Sequence, residues 1–313
     1  MVAPPSPITT VLIWALAVLV CAATTSPAVL ARTRVPALFA GLVACGAALL
    51  LPPPQIFFRF VLGMFGVLAL GRTYDLLRRD SGLSFLGRLW LLTALFDVRR
   101  ARRSSPALVA GELRWLLIHV LVAVAGGELA FVVAEGFAGV GHWLLRWSGG
   151  VALLYGVVEA AHALLWLGYR SGGVELPRVN DRPILSTTLA EFWGRRWNRV
   201  VSSWLRDGLF YPLARRGHPR LGVAAAFVMS TAIHFWIAWM PLLDVVAGLS
   251  MASFFLVHGT ALLLEQRLGV AGWSPLRRRL WTGAWFVATV PLFIEPALRI
   301  FDGFPDAVRM VLV

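Results

Sequence analysis

Long apolar runs dominate the pattern of hydrophobic and polar positions along this chain, and short polar or proline-rich connections separate them. Runs of roughly 16 to 22 apolar residues are long enough to cross a bilayer as helices, and lipid offers no partner to backbone groups in other conformations. The pattern predicts eight membrane helices, at about 8–25, 36–51, 56–71, 113–134, 148–169, 220–241, 244–265 and 281–300. The second and third are short and lie on either side of Pro52, Pro53 and Pro54, which predicts a tight helical hairpin.

The segment 81–103 has a different pattern, typical of a helix at the membrane surface. Apolar residues recur in it at helical spacing, and arginines cluster at its C-terminal end. The apolar positions are Phe85, Leu89, Leu92 and Phe96. This arrangement predicts an amphipathic helix that lies on the membrane.

The segment 170–219 contains the densest block of tryptophan and arginine in the chain. Ser186 and Thr187, followed by Glu191, resemble a helix N-cap and predict a helix from about 188 to 206. Three tryptophans fall on one broad face of that helix and three arginines largely on the others: Trp193, Trp197 and Trp204 against Arg195, Arg199 and Arg206. The pattern indicates an interfacial helix with its indoles at headgroup level.

Composition agrees with this assignment. Hydrophobic residues make up 58% of the chain and charged residues only 14%, whereas a soluble domain carries about a quarter charged residues. The connections between spans are too short and too basic to form a core of their own. We therefore expect one all-α integral membrane domain over residues 1–313, polytopic, with about eight transmembrane helices and additional interfacial helices.

Every one of the 29 basic residues is arginine, and the arginines concentrate in alternate connections. The rich connections are 26–35, 72–112, 170–219 and 266–280. The positive-inside rule places these loops in the cytoplasm and both termini outside. The net charge of +13 does not indicate nucleic acid, because anionic lipid headgroups explain arginines confined to one side of a membrane. The absence of lysine favours a GC-rich bacterial genome, and hence the cytoplasmic membrane.

Several classes of site are disfavoured by the motifs. Cys21 and Cys45 lie in apolar spans without pairing or metal spacing. Glu159 and His162 have the i, i+3 spacing of two-metal helix bundles, but such a site needs several more inward ligands, and no second Glu-x-x-His exists. There is no P-loop, no convincing dinucleotide fingerprint and no Gly-x-Ser-x-Gly elbow. We expect no metal and no tightly bound cofactor.

His234 is the leading candidate for chemistry. Counted from Arg220, it lies fourteen residues, or about 21 Å, into its predicted span. A titratable side chain at bilayer depth is costly and functional by default. As a neutral imidazole, His234 could take a proton from a hydroxyl substrate and act as a general base. The alternative is a histidine that only forms a hydrogen bond with a neighbouring helix.

Asn198 and His258 are weaker candidates. Asn198 lies in the block WGRRWN, and its amide could donate to a carbonyl oxygen or orient a nucleophile without carrying charge. The alternative is an ordinary asparagine on an interfacial helix. His258 could form a second polar point in the bundle, but structural packing against Glu265 or a backbone carbonyl is the favoured interpretation.

The block FWGRRWNRVVSSWLRDGLFYPL, followed by a span with a single deep histidine, resembles the membrane-bound O-acyltransferase (MBOAT) family. Within that family the chain is most similar to the wax synthase branch. The resemblance is most specific over about 185–265, where SFFLVHG and the following LLLE also look like that branch. The chain is short for the family, and the acceptors of the family vary widely.

The resemblance implies His234 as catalytic base and Asn198 as its partner. It implies acyl-CoA as co-substrate, a fatty alcohol or other lipid hydroxyl as acceptor, and coenzyme A as leaving group. The residues suggested for contacts with the coenzyme or the acyl chain are Trp193, Arg195, Arg196, Trp197 and Arg199. Lipid anchoring is the alternative role for these five.

Two further functions stay open. The same chemistry could act on the hydroxyl of a sugar or a secondary metabolite. A non-enzymatic alternative is a small-molecule transporter coupled to protons through His234. Inverted repeats and paired Gly/Pro-broken spans in matching halves would favour a transporter, and the sequence shows neither.

Overall fold

The computed structural model of the protein describes residues 6–78, 82–96, 98–106 and 109–304. Residues 81 and 97 of the predicted surface segment, and Arg79 of a predicted cytoplasmic connection, lie outside the described residues. The α-helices are α1 (Pro7–Thr24), α2 (Pro27–Leu30), α3 (Val35–Gly46), α4 (Ile56–Arg78), α5 (Phe85–Thr93), α6 (Ala110–Glu128), α7 (Gly139–Ser171), α8 (Leu189–Glu191), α9 (Arg199–Leu205), α10 (Tyr211–Ala214), α11 (Pro219–Leu242), α12 (Val245–Arg267) and α13 (Pro275–Asp302).

Shorter elements join or interrupt these helices. The 3₁₀ segments are Ala47–Leu50, Val98–Arg100, Ala134–Gly136, Pro183–Leu185 and Val270–Gly272, and the π-helical segments are Leu129–Val133, Phe192–Arg196 and Arg206–Phe210. The strands β1 (Arg102–Arg103) and β2 (Val174–Glu175) pair antiparallel, with Arg102 opposite Glu175. Helices therefore dominate the fold, which confirms the predicted all-α class.

Seven helices within the described residues are long and apolar enough to cross a membrane. They are α1, α4, α6 with its continuation to Gly136, α7, α11, α12 and α13. The remaining predicted span, at about 36–51, corresponds to a shorter apolar helix, Val35–Leu50. The protein is an integral, multi-pass membrane protein.

The helices extend beyond the apolar runs that revealed them. α4 continues to Arg78 instead of ending near 71, and α7 begins at Gly139 instead of near 148. The extra residues of α4 include the polar Arg72, Asp75 and Arg78, and Arg72 Nη1 lies 3.7 Å from Asp75 Oδ2. Because hydropathy reports contact with lipid and not backbone hydrogen bonding, it does not locate the ends of such helices.

The described residues form two compact units. Unit 1 contains the residues up to Arg99, Ile233–Leu249 and the residues from Arg299 onwards. Unit 2 contains Arg100–Ala232 and Ser250–Leu298. The divisions fall inside α11, α12 and α13, so each of these helices contributes residues to both units. The single domain over 1–313 stays a prediction.

In unit 1, α3 and α4 form the hairpin predicted around the three prolines. A Cβ added at Gly66 of α4 would lie 2.5 Å from the Ala44 carbonyl oxygen and 2.9 Å from the Cys45 Cα of α3. The two backbones are therefore in direct contact, and only glycine fits at this position of α4.

The predicted surface helix is present as α5, and its buried residues coincide only in part with the predicted apolar side. The buried residues of α5 are Arg88, Leu91 and Leu92, whereas Phe85 is exposed. Arg88 Nε donates a hydrogen bond to the carbonyl oxygen of Ala22, 2.7 Å away in the last turn of α1. Carbonyls in the last turn of a helix lack helical partners. This bond turns Arg88 towards protein, and hydrophobic periodicity does not detect it.

In unit 2, α6 and α7 approach closely along three glycines: Gly126, Gly149 and Gly156. A Cβ added at Gly126 would lie 2.3 Å from the Leu153 nitrogen, and one at Gly149 would lie 2.6 Å from the Ala130 nitrogen. Small residues permit this contact between backbones, which in a membrane supplies the packing that hydrophobic burial supplies in water.

We expect Gly156→Ala to lower the stability of the α6–α7 pair, because the added Cβ would lie 2.5 Å from the Ala123 nitrogen and 2.7 Å from the His119 carbonyl oxygen. Overpacking of this kind costs about 1–3 kcal/mol. The thermal unfolding temperature in detergent micelles measures the loss. Gly168→Ala in the same helix is the control, since nothing lies within 4 Å of its added Cβ. Equal unfolding temperatures for both variants would contradict the prediction.

Candidate active site

The tryptophan- and arginine-rich segment contains a sharp break, and the predicted continuous helix from 188 to 206 is wrong. The π-helical turn after α8 ends at Arg196, and Trp197 is extended. Asn198 adopts the left-handed conformation, with φ 36° and ψ 60°, and α9 begins at the next residue. Among residues other than glycine, asparagine is one of the few that enter this conformation readily. Asn198 therefore allows the chain to change direction at this point.

The N-cap of α8 lies one or two residues after the predicted cap. The N-cap is Thr188, whose hydroxyl accepts a hydrogen bond from the Glu191 N–H at 3.0 Å. In return, Glu191 Oε2 accepts from the N–H of Thr187 at 2.8 Å. The segment thus carries a variant of the reciprocal capping box.

Glu265 of α12 holds the same helix start from the other side. This buried carboxylate accepts hydrogen bonds from the Leu189 and Ala190 N–H groups, at 2.7 and 2.9 Å. The first N–H groups of a helix lack helical partners and attract negative charge. Glu265 therefore fixes the start of α8 to α12.

Arg196, one of the five predicted coenzyme contacts, has partners within the protein. Its Nε donates to Glu191 Oε1 at 2.7 Å, and its Nη1 donates to the Asp181 carbonyl oxygen at 3.1 Å. Burial raises the pKa of the Glu191 carboxyl, but hydrogen bonds from Thr187 and Arg196 outweigh it and hold that pKa below its ordinary value of 4.5. Arg196 thus has structural partners, and its contact with the coenzyme stays a prediction.

This lowered pKa predicts an acid-sensitive contribution to stability. A carboxyl with a depressed pKa in the folded state stabilises the fold fully above its unfolded pKa and loses that contribution as pH falls through the folded value. We expect Glu191→Gln to lower the unfolding temperature at pH 6.5. The difference from the unsubstituted protein should shrink as the pH falls below 4.5. A difference that stays constant across this range would contradict the assignment.

The amide of Asn198 is oriented by local hydrogen bonds. Its Oδ1 accepts from the Val201 N–H at 3.2 Å and so caps α9. Because the oxygen occupies this position, the Nδ2 group must point away from the helix. Asn198 Nδ2 donates to no other described residue. Asn198 thus caps α9 through its Oδ1, and its Nδ2 group remains available as a hydrogen-bond donor.

His258 has different partners from the ones predicted, since neither Glu265 nor a backbone carbonyl contacts its ring. The indole Nε1–H of Trp193 donates to His258 Nδ1 at 3.1 Å. Thr289 Oγ1 donates to the Trp285 carbonyl at 2.6 Å and lies 2.9 Å from His258 Nε2. Its only hydroxyl proton is therefore in use, and His258 Nε2 must carry the proton of the His258–Thr289 bond. Both ring nitrogens are occupied, so His258 fixes the Trp193 indole and has no lone pair left for catalysis.

Aromatic rings surround the two tryptophans predicted to contact substrate. Phe192 stacks on Trp197, with ring centroids 5.7 Å apart and planes inclined by 14°. Trp193 packs edge-on against Phe227, at 5.9 Å, and against Phe255, at 5.5 Å. These contacts give both indoles fixed orientations within unit 2.

His234 is half-buried within α11, in unit 1, whereas Asn198 belongs to unit 2. The following turn of α11 is tightly packed, since Phe235 and Trp239 stack at 6.0 Å. A Cβ added at Gly248 of α12 would lie 2.8 Å from the Trp239 Cβ. The helix that carries His234 is therefore held against α12 at this turn.

Two other histidines of the membrane helices have structural partners. His119 Nδ1 lies 2.8 Å from the Trp115 carbonyl oxygen, and His142 Nδ1 lies 3.0 Å from that of Ala134. His119 and His142 thus bond to backbone carbonyls of the protein, and the role of His234 stays a prediction.

Glu159 of the Glu-x-x-His pair takes part in a hydrogen-bond chain that the sequence did not reveal. Its Oε1 accepts from Asn180 Nδ2 at 2.9 Å, and its Oε2 accepts from Trp115 Nε1 at 3.1 Å. No group of three or more potential metal ligands occurs among the described residues. In the same helix, the buried His162 Nε2 has no hydrogen-bond partner among the described residues.

Residues 176–257 match the sequence family described as the membrane bound O-acyl transferase family. Over this segment the chain is similar to that family. The match includes Asn180, Asn198 and His234. The O-acyl transferase match ends one residue before His258, so α13 and its Thr289 lie outside it.

Three similar proteins have names that indicate acyl transfer. The chain is 33% identical to "Probable long-chain-alcohol O-fatty-acyltransferase 3" of Arabidopsis thaliana over 142 residues, which is 41% of each protein. It is 33% identical to "Probable long-chain-alcohol O-fatty-acyltransferase 2" of the same plant over 119 residues, 36% of this chain and 34% of the relative. It is also 31% identical to "Acetyltransferase eriL" of Hericium erinaceus over 183 residues, 49% of this chain and 47% of the relative. The chain thus spans less than half of the length of each of these O-acyl transferase relatives.

Proposed function

We propose that the protein is an O-acyltransferase that moves an acyl group from acyl-CoA to the hydroxyl of a lipid-soluble alcohol. The observation that carries the proposal is the amide of Asn198. Its oxygen caps α9 while its Nδ2 donates to no other described residue, and it lies inside the segment that matches the O-acyl transferase family. A fixed donor without a protein partner is suited to stabilise charge that develops in a transition state.

In the proposed reaction, the neutral imidazole of His234 takes the proton of the acceptor hydroxyl. The oxygen forms a bond to the thioester carbonyl carbon, and Asn198 Nδ2 donates a hydrogen bond to the developing oxyanion. Collapse of the tetrahedral intermediate breaks the carbon–sulfur bond, and the imidazolium returns its proton to the coenzyme A sulfur. General base catalysis contributes about 10²–10⁴-fold to such a reaction.

The coenzyme is proposed to bind near Arg195 and Arg199. Both side chains are exposed and make no hydrogen bond to any other described residue. Arginine recognises phosphate groups well because its planar fork supplies several donors. We place this arginine-rich segment on the cytoplasmic side, in a bacterial cytoplasmic membrane, following the positive-inside rule.

A second candidate function uses the same chemistry with an acetyl donor and the hydroxyl of a sugar or a secondary metabolite. The name "Acetyltransferase eriL" favours the acetyl donor, and that match covers more of this chain than the matches to the two plant proteins. The two candidates differ in acyl length and in acceptor. They therefore make different predictions for the same assay.

The test is an acyl-transfer assay with the protein in lipid nanodiscs. Radiolabelled palmitoyl-CoA or acetyl-CoA is offered together with hexadecanol, a terpenoid alcohol or glucose, and labelled ester and free coenzyme A are both measured. Formation of hexadecyl palmitate would support the first proposal. Formation of the acetate ester of the terpenoid alcohol or of glucose would support the second. If no donor and acceptor pair releases coenzyme A above empty nanodiscs, acyl transfer from coenzyme A is contradicted.

A further inference from the structure

We infer that Asn180 and the buried carboxylate of Glu159 are positioning residues that hold Asn198 in its left-handed conformation. The inference rests on the proposed function, because it concerns the residue that we propose as oxyanion donor. Neither residue was a candidate for this role from the sequence. Their role is to fix where the Asn198 amide points, through a chain of hydrogen bonds that begins inside α7.

The first link joins Asn180 to the break before α9. Asn180 Oδ1 accepts a hydrogen bond from the Asn198 N–H at 2.8 Å. Backbone bonds on both sides support this link, since the Arg199 N–H donates to the Val179 carbonyl at 2.7 Å and the Asp181 N–H donates to the Arg196 carbonyl at 2.8 Å. The segment around Asn180 therefore binds the break along its whole length.

The second link orients the Asn180 side chain. Asn180 is only 5% exposed, and its Nδ2 donates to Glu159 Oε1 at 2.9 Å. A carboxylate only accepts hydrogen bonds, so the amide must turn its nitrogen towards Glu159 and its oxygen towards the Asn198 N–H. A flipped amide would place two donors against each other. Glu159 thus determines which atom Asn180 presents to Asn198.

The third link anchors Glu159 itself. Glu159 is only 4% exposed, and its second oxygen accepts from Trp115 Nε1 of α6 at 3.1 Å. Removal of one partner of a buried hydrogen bond leaves the other partner unsatisfied. Glu159 therefore satisfies the Asn180 and Trp115 donors and also fixes the orientation of the Asn180 amide.

The left-handed backbone of Asn198 connects this chain to the proposed chemistry. With φ near 36°, the side chain can cap α9 through Oδ1 and still present Nδ2 away from the helix. A residue in this sparsely populated region stays there only when its surroundings hold it. Loss of the Asn180 bond would therefore let the donor drift, and a shift of about 1 Å can reduce the rate roughly 10²-fold.

The experiment exchanges donor and acceptor between positions 159 and 180. Asn180→Asp alone sets two buried carboxylates against each other, and Glu159→Gln alone weakens the charge-assisted bond. Combined, the glutamine amide at 159 donates to the aspartate at 180 and its oxygen accepts from Trp115, while the second aspartate oxygen accepts from Asn198. The combination restores every bond of the chain with the same total charge.

The first measurement is hydrogen–deuterium exchange of the backbone amides of Asn198 and Val201, in detergent micelles. We expect exchange to become at least about tenfold faster in Asn180→Asp and to return close to the original rate in the combined variant. Glu175→Gln is the matched control for the Glu159→Gln part of the combined variant, because it makes that substitution at an exposed position in β2. Unchanged exchange in Asn180→Asp would overturn the inference, whatever reaction the protein catalyses.

The second measurement is ester formation from palmitoyl-CoA and hexadecanol. In Asn180→Asp we expect kcat to fall by roughly 10- to 100-fold with KM for palmitoyl-CoA within about threefold, and the combined variant should recover most of kcat. Restored exchange without restored kcat would overturn the positioning role. If the unsubstituted protein forms no ester, the proposed function is wrong, and the exchange data still decide whether Glu159 and Asn180 hold Asn198.

Discussion

Replacement of His234 by alanine is expected to reduce ester formation by about 10³-fold while the amount of folded protein in the membrane stays the same. The reason is chemical: an alcohol is a poor nucleophile until a base takes its proton, and a positioned general base contributes about 10²–10⁴-fold. Ester formation from radiolabelled palmitoyl-CoA and hexadecanol, normalised to protein that elutes as a single species in size-exclusion chromatography, measures the effect.

The control for this prediction is His218→Ala. His218 is exposed directly before α11, and its backbone N–H bond to the Leu213 carbonyl does not depend on its side chain. We expect the rate of this variant to match that of the unsubstituted protein. A His234→Ala variant with more than about a third of the original rate would exclude His234 as the general base. The prediction for Asn198 is tested independently.

Asn198→Asp is expected to lower kcat by about 10²–10³-fold without a loss of thermal stability, which is the range for removal of one oxyanion donor. Aspartate is a good helix N-cap and tolerates the left-handed region, so it can still accept the hydrogen bond from Val201. It lacks the Nδ2 donor, however, and adds a negative charge where an oxyanion would form. Steady-state kinetics and thermal unfolding in detergent separate these two effects.

Asn198→Gly supplies a second comparison, because glycine adopts the left-handed conformation without strain but has no side chain. It should lose activity to a similar extent as Asn198→Asp. Arg182→Gly is its control, since Arg182 is exposed and also left-handed, with φ 46°. If Asn198→Asp keeps its kcat and only Asn198→Gly changes, Asn198 is a structural cap and not an oxyanion donor.

Hydrophobic pattern was sufficient to predict the class and most of the architecture. Lipid permits only helices with internally paired backbones, so apolar runs translate directly into spans such as α1, α11 and α12. The pattern was less informative about helix ends, since α4 and α7 extend beyond their predicted spans. The pattern also did not predict which side of α5 packs against protein, because the hydrogen bond from Arg88 to the Ala22 carbonyl depends on a distant helix.

A chemical role was predictable only where a titratable residue type occurs deep within an apolar run. A histidine deep in an apolar run is recognisable as a candidate because few other reasons justify its cost. Hydrogen-bond partners were not predictable, as His258 shows: its ring contacts Trp193 and Thr289, which lie 65 and 31 residues away along the chain. The same holds for Glu159, whose partner Asn180 lies in a loop beyond the end of α7.

The sequence by itself determined that this protein is a multi-pass helical membrane protein, and it singled out the segment that matches the O-acyl transferase family. Both follow from local properties, namely apolar run length and residue type at fixed spacing. Only the tertiary structure decided that the chain breaks at Asn198 and that Asn180 and Glu159 hold the break. Hydrogen bonds between residues distant in sequence depend on how helices pack, and a linear pattern contains no information about which donor meets which acceptor.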